Sequence, residues 1–302
     1  MTRLAIGAGF LLVAAASDAR TRKVRDPLWI ALGSIGLVLL TAELLLASSV
    51  DGSAWSLVGS GAILFYAIFF GAPLFDEDGF HPRPWRLILW FVAAALFLYP
   101  ASLFVSGTGL SSTTLELYSM PTMVVVYQGF YRVRLLHGGA DAKGLIALSL
   151  LIPLYPDASP FPLLAPDPIF ERALRQIFPF SLVIWVDAAI LALGVPLFLL
   201  LVNAVRGDLA FPQAFLGYRA RTDAFPRHGW LMEKFDARGE HVLVLFPKRG
   251  GDPAADLARL RAAGIDRVWV TPQIPFMVPL LGGFLLAYLV GNVLIAVLGL
   301  AG

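Results

Sequence analysis

Apolar runs of near twenty residues, separated by short charged or Pro/Gly-rich stretches, recur along most of this 302-residue chain, and nothing else restricts its fold so tightly. Lipid offers the backbone no hydrogen-bond partner, so a segment crossing a bilayer satisfies its own N–H and C=O groups as a helix of about 20 mostly apolar residues. Eight candidate helices read at approximately residues 2–17, 28–47, 54–75, 86–105, 118–136, 142–156, 178–203 and 275–300. The sixth is the shortest and stops at Pro153 and Pro156, as expected of a helix that starts at depth or is tilted by its neighbours. With 58% hydrophobic and 15% charged residues and a mean hydropathy of +0.76, the chain has too little polar surface for an ordinary soluble domain. The expected class is an all-α polytopic membrane protein of about eight transmembrane helices with a small α+β cytoplasmic module. Its divisions are a membrane helical region over 1–203, the module over 204–273 and a last membrane helix within 274–302.

Orientation follows from where Lys and Arg collect, because the excess stays on the cytoplasmic side. With the N-terminus outside, that side receives 20 of the 23 basic residues, and only Arg3, Arg172 and Arg175 lie opposite. Eleven of the 20 fall in the long 204–273 segment, where the rule is weaker, yet the short loops alone divide nine to three. The net charge of +2 therefore reflects membrane orientation and implies no nucleic-acid partner. The stretch Leu4 to Ala16 reads as the first membrane helix and not as a signal peptide, since the chain that follows is itself membrane-embedded.

In the soluble segment, His241 to Pro247 reads as a buried strand, Asp252 to Ala263 as an amphipathic helix opened by Pro253, and Arg267 to Thr271 as a second strand. This is a β-α-β-like module. Arg249-Gly250-Gly251-Asp252 lacks the spacing and the Lys-Ser/Thr of a phosphate loop. The proline-crowded stretch from Tyr155 to Pro168 reads as a stiff outer excursion. No cysteine is present, which excludes disulfides, thiolate metal sites and a catalytic thiol. The four histidines have no metal-ligand spacing, and neither HExxH nor GxSxG occurs, so neither a metal nor another cofactor is expected.

Carboxylates in or at the ends of the apolar helices are the informative residues, because an Asp near the bilayer centre costs about 2.5–3.5 kcal/mol on insertion scales. The candidates are Asp18, Glu43, Asp141 and Asp187. Asp18 closes the first helix ahead of Ala19-Arg-Thr-Arg-Lys-Val-Arg-Asp-Pro27, and Asp141 lies in His137-Gly-Gly-Ala-Asp-Ala-Lys143. The topology puts both at one face of the membrane. Two carboxylates brought together do not both ionise, so they share a proton, activate a water and protonate a leaving group without a metal. They titrate as a pair, and no acid or base role is assigned to either one.

At these residues the chain resembles the archaeal branch of the prepilin and preflagellin peptidases, the GxGD-type membrane aspartic proteases. Asp18 through Asp26, with Arg22 four positions after the acid, is similar to the family's first-aspartate motif. Gly138-Gly139-Ala140-Asp141, followed by Lys143, is similar to the second. Thr271-Pro-Gln-Ile-Pro-Phe-Met-Val-Pro279 is similar to a stretch of archaeal members. Ala140 stands where the strict signature has Gly, and Pro27 comes one residue later than in many members. The resemblance implies Asp18 and Asp141 as the catalytic pair, with Arg22, Gly138, Gly139, Ala140 and Lys143 as supporting residues. It also implies removal of a short basic leader from pilin-like or archaeal flagellin precursors at the cytoplasmic face of the cell membrane. Without the four-cysteine insert of bacterial relatives, cleavage without N-methylation is expected.

Blander roles exist for each residue. Asp18 and Asp141 suit helix ends, Arg22 and Lys143 suit lipid headgroups, and Trp29, Trp55 and Trp85 suit an interfacial belt. Asp187 could pair with Asn203 or Asn292, Glu43 reads as solvated, and Asp76-Glu-Asp78 reads as a solvated loop. The rival functions are a transporter or scaffold using intramembrane Asp residues, and a protease closer to presenilin and signal peptide peptidase. For the latter, Ser17 stands where Tyr is expected and the Pro-Ala-Leu motif is missing.

Overall fold

The computed structural model describes residues 1–47, 51–70, 75–76, 79–80, 83–136, 138–156, 160–164, 175, 177–236, 238–247 and 253–298. Two compact units result: residues 1–189 with 276–302, and residues 190–275.

The first unit is a helical bundle. α1 (Thr2–Thr21) ends where Arg22 turns left-handed, and α2 (Asp26–Leu46) opens with Pro27 in its first turn, where the missing N–H costs nothing. α3 (Gly52–Phe69) is N-capped by Asp51, which accepts from Ala54 N–H at 3.0 Å. α4 (Pro84–Val105) follows a two-stranded pair, β1 (Phe75–Asp76) and β2 (Gly79–Phe80). Then come α5 (Ser112–Leu117), α6 (Ser119–Arg132) and α7 (Gly139–Leu151). α8 (Phe180–Arg206) begins in this unit and continues into the next.

The bundle is built around α7. Leu145, Ile146, Ala147, Leu148, Leu150 and Leu151 are all fully buried, so this helix is apolar all round because neighbours surround it. α2, α6 and α1 pack on it. Since lipid is as apolar as Leu, close backbone approach drives such packing. Gly36 shows it: an added Cβ would sit 2.6 Å from the backbone of Leu150 and Leu151.

Among the described residues five helices, α1, α2, α3, α4 and α8, are long and apolar enough to cross a membrane, and the other three expected spans take a shorter or interrupted form. The fifth candidate is the 14-residue α6, which the short α5 precedes. The sixth is α7, whose 13 residues cover only about 20 Å, short of a bilayer core. The last breaks into α11 (Met277–Leu289) and α12 (Val293–Val297). Gly291 there has φ +108°, while the N–H groups of Leu163 and Leu164 donate to Leu289 O and Val290 O, carbonyls that a continuing helix would have used itself. Asn292 caps α12, and Asp187 accepts from Val293 N–H at 3.2 Å. Asn203 instead donates to Ala214 O and Gly217 O. Trp29 is fully buried and not at an interface, because Gly144 of α7 leaves room for its ring. Glu43 pairs with Arg3 at 2.6 Å.

The second unit contains the end of α8, the short α9 (Gln213–Leu216), and an antiparallel sheet in the order β3 (Tyr218–Arg221), β7 (Arg267–Pro272), β4 (Gly229–Leu231). A hairpin of β5 (Glu233–Phe235) and β6 (His241–Leu243) joins it, with α10 (Pro253–Ala262) covering Val268 and Val270 through Leu257 and Leu260. The module is not the expected β-α-β unit. β6 and β7 lie in different sheets, and β7 pairs antiparallel with β3 and β4, two strands too short to show a period in the sequence. His81, His137, the Arg249-to-Asp252 stretch, Glu77 and Asp78 of the acidic loop, and part of the Tyr155-to-Pro168 excursion lie outside the described residues.

Candidate active site

α1 and α7 run antiparallel, and two contacts fix their register. Arg3 donates to Leu151 O, the last carbonyl of α7, supplying a cation where the helix dipole is negative. A Cβ on Gly7 would lie 3.1 Å from Leu151 Cδ2, so Gly7 and Leu151 share a level. Asp18 is eleven residues beyond Gly7, about 16 Å along α1, and Asp141 is ten residues before Leu151, about 15 Å along α7. The two acids therefore reach the same end of the bundle at nearly the same height.

A cross-link ties their segments together. Lys143 Nζ lies 2.6 and 2.7 Å from the two carboxylate oxygens of Asp26, which opens α2, while the ring of Phe69 at the end of α3 faces the ammonium at 5.6 Å. Thus the last residue of the first motif holds the basic residue of the second. Ser17 secures the intervening turn by donating to Lys23 O at 2.7 Å.

Asp18 does not close its helix, as the sequence suggested; α1 runs three residues further, to Thr21. Its half-buried carboxylate sits near the negative end of the α1 dipole, and a second helix offsets this. Met277 N–H, the first amide of α11, donates to Asp18 Oδ2 at 3.2 Å. This donor comes from the Thr271-to-Pro279 stretch.

Asp141 is in the first turn of α7, where a carboxylate faces the positive end of the helix. It folds back over Gly138, the N-cap residue: a Cβ at 138 would stand 2.2 Å from Oδ2 and 2.6 Å from Cγ. The first glycine of the motif is thus the space its own aspartate occupies. Gly139 is different, since a Cβ there meets nothing nearer than Tyr131 Oη at 3.5 Å. Ala140 is half-buried against the bundle core. Arg22 caps α1 with φ 56°, its N–H donating to Asp18 O at 2.9 Å and its guanidinium reaching the same carbonyl at 3.4 Å. Neither basic residue of the motifs is spent on a headgroup alone.

Among the described residues no group of three or more His, Asp or Glu side chains is arranged to hold a metal. Two acids at one end of the bundle, each beside a helix N-terminus, suit water activation and proton transfer.

Residues 210–293 match the family described as Archaeal Peptidase A24 C-terminus Type II. The preflagellin peptidase of Methanocaldococcus jannaschii is 28% identical over 182 residues, which cover 58% of this chain and 71% of that protein.

Proposed function

We propose that this chain, a member of the archaeal prepilin/preflagellin peptidase family, is an aspartic endopeptidase whose catalytic pair is Asp18 and Asp141. In this reading it removes the short basic leader from pilin-like or flagellin precursors at the cytoplasmic face and leaves the new N-terminus unmethylated. The observation that carries it is the common level of the two acids, with Asp26 and Lys143 joining their segments.

The chemistry needs one proton shared by the two carboxyl groups. One carboxylate takes a proton from water as the water oxygen bonds to the scissile carbonyl carbon. The protonated partner gives its proton to the carbonyl oxygen, forming a gem-diol. As the C–N bond breaks, the nitrogen takes a proton from the pair and leaves as the mature N-terminus, while one gem-diol hydroxyl returns its proton to the pair and becomes the carbonyl of the leader carboxyl group. A basic leader in front of an apolar helix delivers its cut bond to the membrane surface, where both acids stand. Arg22, Gly138, Gly139, Ala140 and Lys143 are the supporting residues of the pair, Gly138 by leaving the space that Asp141 occupies and Lys143 by joining Asp26.

The test is co-expression with a pilin-like precursor. Asp18→Asn and Asp141→Asn each abolish the mobility shift while the variants still elute as folded protein, and a chelator leaves wild-type cleavage unchanged. Processing by either variant at near wild-type rate overturns the assignment. Mass spectrometry of the mature N-terminus tests the absence of a methyl group.

A further inference from the structure

The second unit carries an apolar rim that its own fold does not explain. Phe211 is 84% exposed, Phe246 79% and Leu209 63%, although each adjoins a residue that packs inward. Ala210 and Leu245, their chain neighbours, pack with Leu200 of α8 on the cluster of Ala214, Met232 and Trp269. The fold thus brings two distant parts of the unit to one edge, beside the last turns of α8. Asn203 fixes that edge to the helix through Ala214 O at 2.9 Å and Gly217 O at 2.7 Å.

The position of this edge indicates what covers it. α8 has 27 residues, about 40 Å of helix, against about 30 Å of bilayer hydrocarbon. Its final turns therefore reach the headgroup zone. Exposed apolar side chains continue down it through Leu197, Leu201 and Val205 to the last residue but one. Exposed Leu209 and Phe211 resume this apolar series just past the helix end, after Arg206, Gly207 and Asp208. Arginines border it: exposed Arg206, Arg267 paired with Asp208 at 2.5 Å, and Arg219 over the ring of Trp269 at 5.5 Å. Aromatic side chains edged by cations are the composition of an interfacial anchor.

We infer that Leu209, Phe211 and Phe246 insert into the headgroup and acyl boundary of the leaflet at the end of α8, fastening the 210–275 module to the membrane surface. The rim is a lipid-binding surface, independent of the peptidase assignment.

The chain has no cysteine, so single sites can be labelled without altering the background. The full chain carrying Phe211→Cys, Phe246→Cys or Arg238→Cys is labelled with an environment-sensitive fluorophore. Each is reconstituted into phosphatidylcholine vesicles containing phosphatidylglycerol. Arg238 lies in the β5–β6 turn, at the opposite end of that hairpin from Met232 and Val244. Dyes at 211 and 246 are expected to emit blue-shifted light and to be quenched by spin-labelled lipid, with aqueous iodide quenching them at least about threefold less than at 238. Iodide access equal to that at 238 overturns the inference. So does shielding from iodide without quenching by lipid, which assigns the rim to a protein partner or a second copy. Both aromatic positions are so exposed that the substitutions leave the core untouched, and Leu209→Cys supplies a third, independent site.

Discussion

Changing Gly138 to Ala tests how closely the second acid is held. The new Cβ would lie 2.2 Å from Asp141 Oδ2, and an ordinary contact begins at 3.4 Å, so the carboxylate has to move by about 1 Å. Helix α7 does not need to move with it, because the obstructing atoms are the far end of one side chain and the backbone at 138, φ −98° and ψ 123°, suits Ala. Stability therefore changes by no more than about 1 kcal/mol, the cost of a poorer N-cap. Misplacing a reacting group by about 1 Å lowers the rate about 10²-fold, equivalent to about 2.7 kcal/mol of transition-state stabilisation. The control is the adjacent Gly139→Ala, where the nearest atom is at an unstrained 3.5 Å. The assay is cleavage of a synthetic precursor by the purified full chain, with kcat and KM measured separately. Gly138→Ala is expected to lose kcat with KM nearly unchanged, and Gly139→Ala to stay within about threefold of wild type. Equal loss in both variants, or full activity in Gly138→Ala, refutes the argument that Asp141 needs this space.

Three other outcomes follow from the contacts. Asp26→Asn and Lys143→Gln each lower kcat while shifting stability by less than about 1 kcal/mol, since the pair is half-exposed, and the reversed pair Asp26→Lys with Lys143→Asp recovers activity lost in the single reversals; the readout is precursor turnover beside a melting curve. Replacing the amide between Phe276 and Met277 by an ester removes the donor to Asp18 and lowers kcat about tenfold, whereas Met277→Leu, which keeps the N–H and the side-chain volume, does not. Glu233→Ala destabilises the second unit by about 2–3 kcal/mol, seen as earlier proteolysis at the 236–240 turn, because the buried carboxylate accepts from Trp269 N–H at 2.6 Å and pairs with His241 at 2.8 Å.

What the sequence reveals and conceals divides along physical lines. Asp18 and Asp141 stand out because an acid beside an apolar run is costly, and charge counting places them at one face before any coordinates exist. Met277 is invisible in the same way that any backbone donor is: every residue but proline has the N–H, and only folding aims one at a carboxylate. Lys143 reads as a headgroup anchor until Asp26, 117 positions earlier, is found beside it. Trp29 has interfacial chemistry but lies opposite Gly144, and a missing side chain leaves no mark in hydropathy. The broken last helix is half-marked: Gly291-Asn292 stands at the break, but the 163–164 backbone that takes the freed carbonyls is not visible in the 275–300 stretch. In the second unit, strands of three and four residues are shorter than any alternation that could announce them.

The bond from Met277 N–H to Asp18 has a consequence for how the molecule matures. Asp18 acquires this donor only once position 277, 259 residues later in the chain, has been made and has folded against it. A partly made chain therefore holds both aspartates before it holds the amide that supports Asp18.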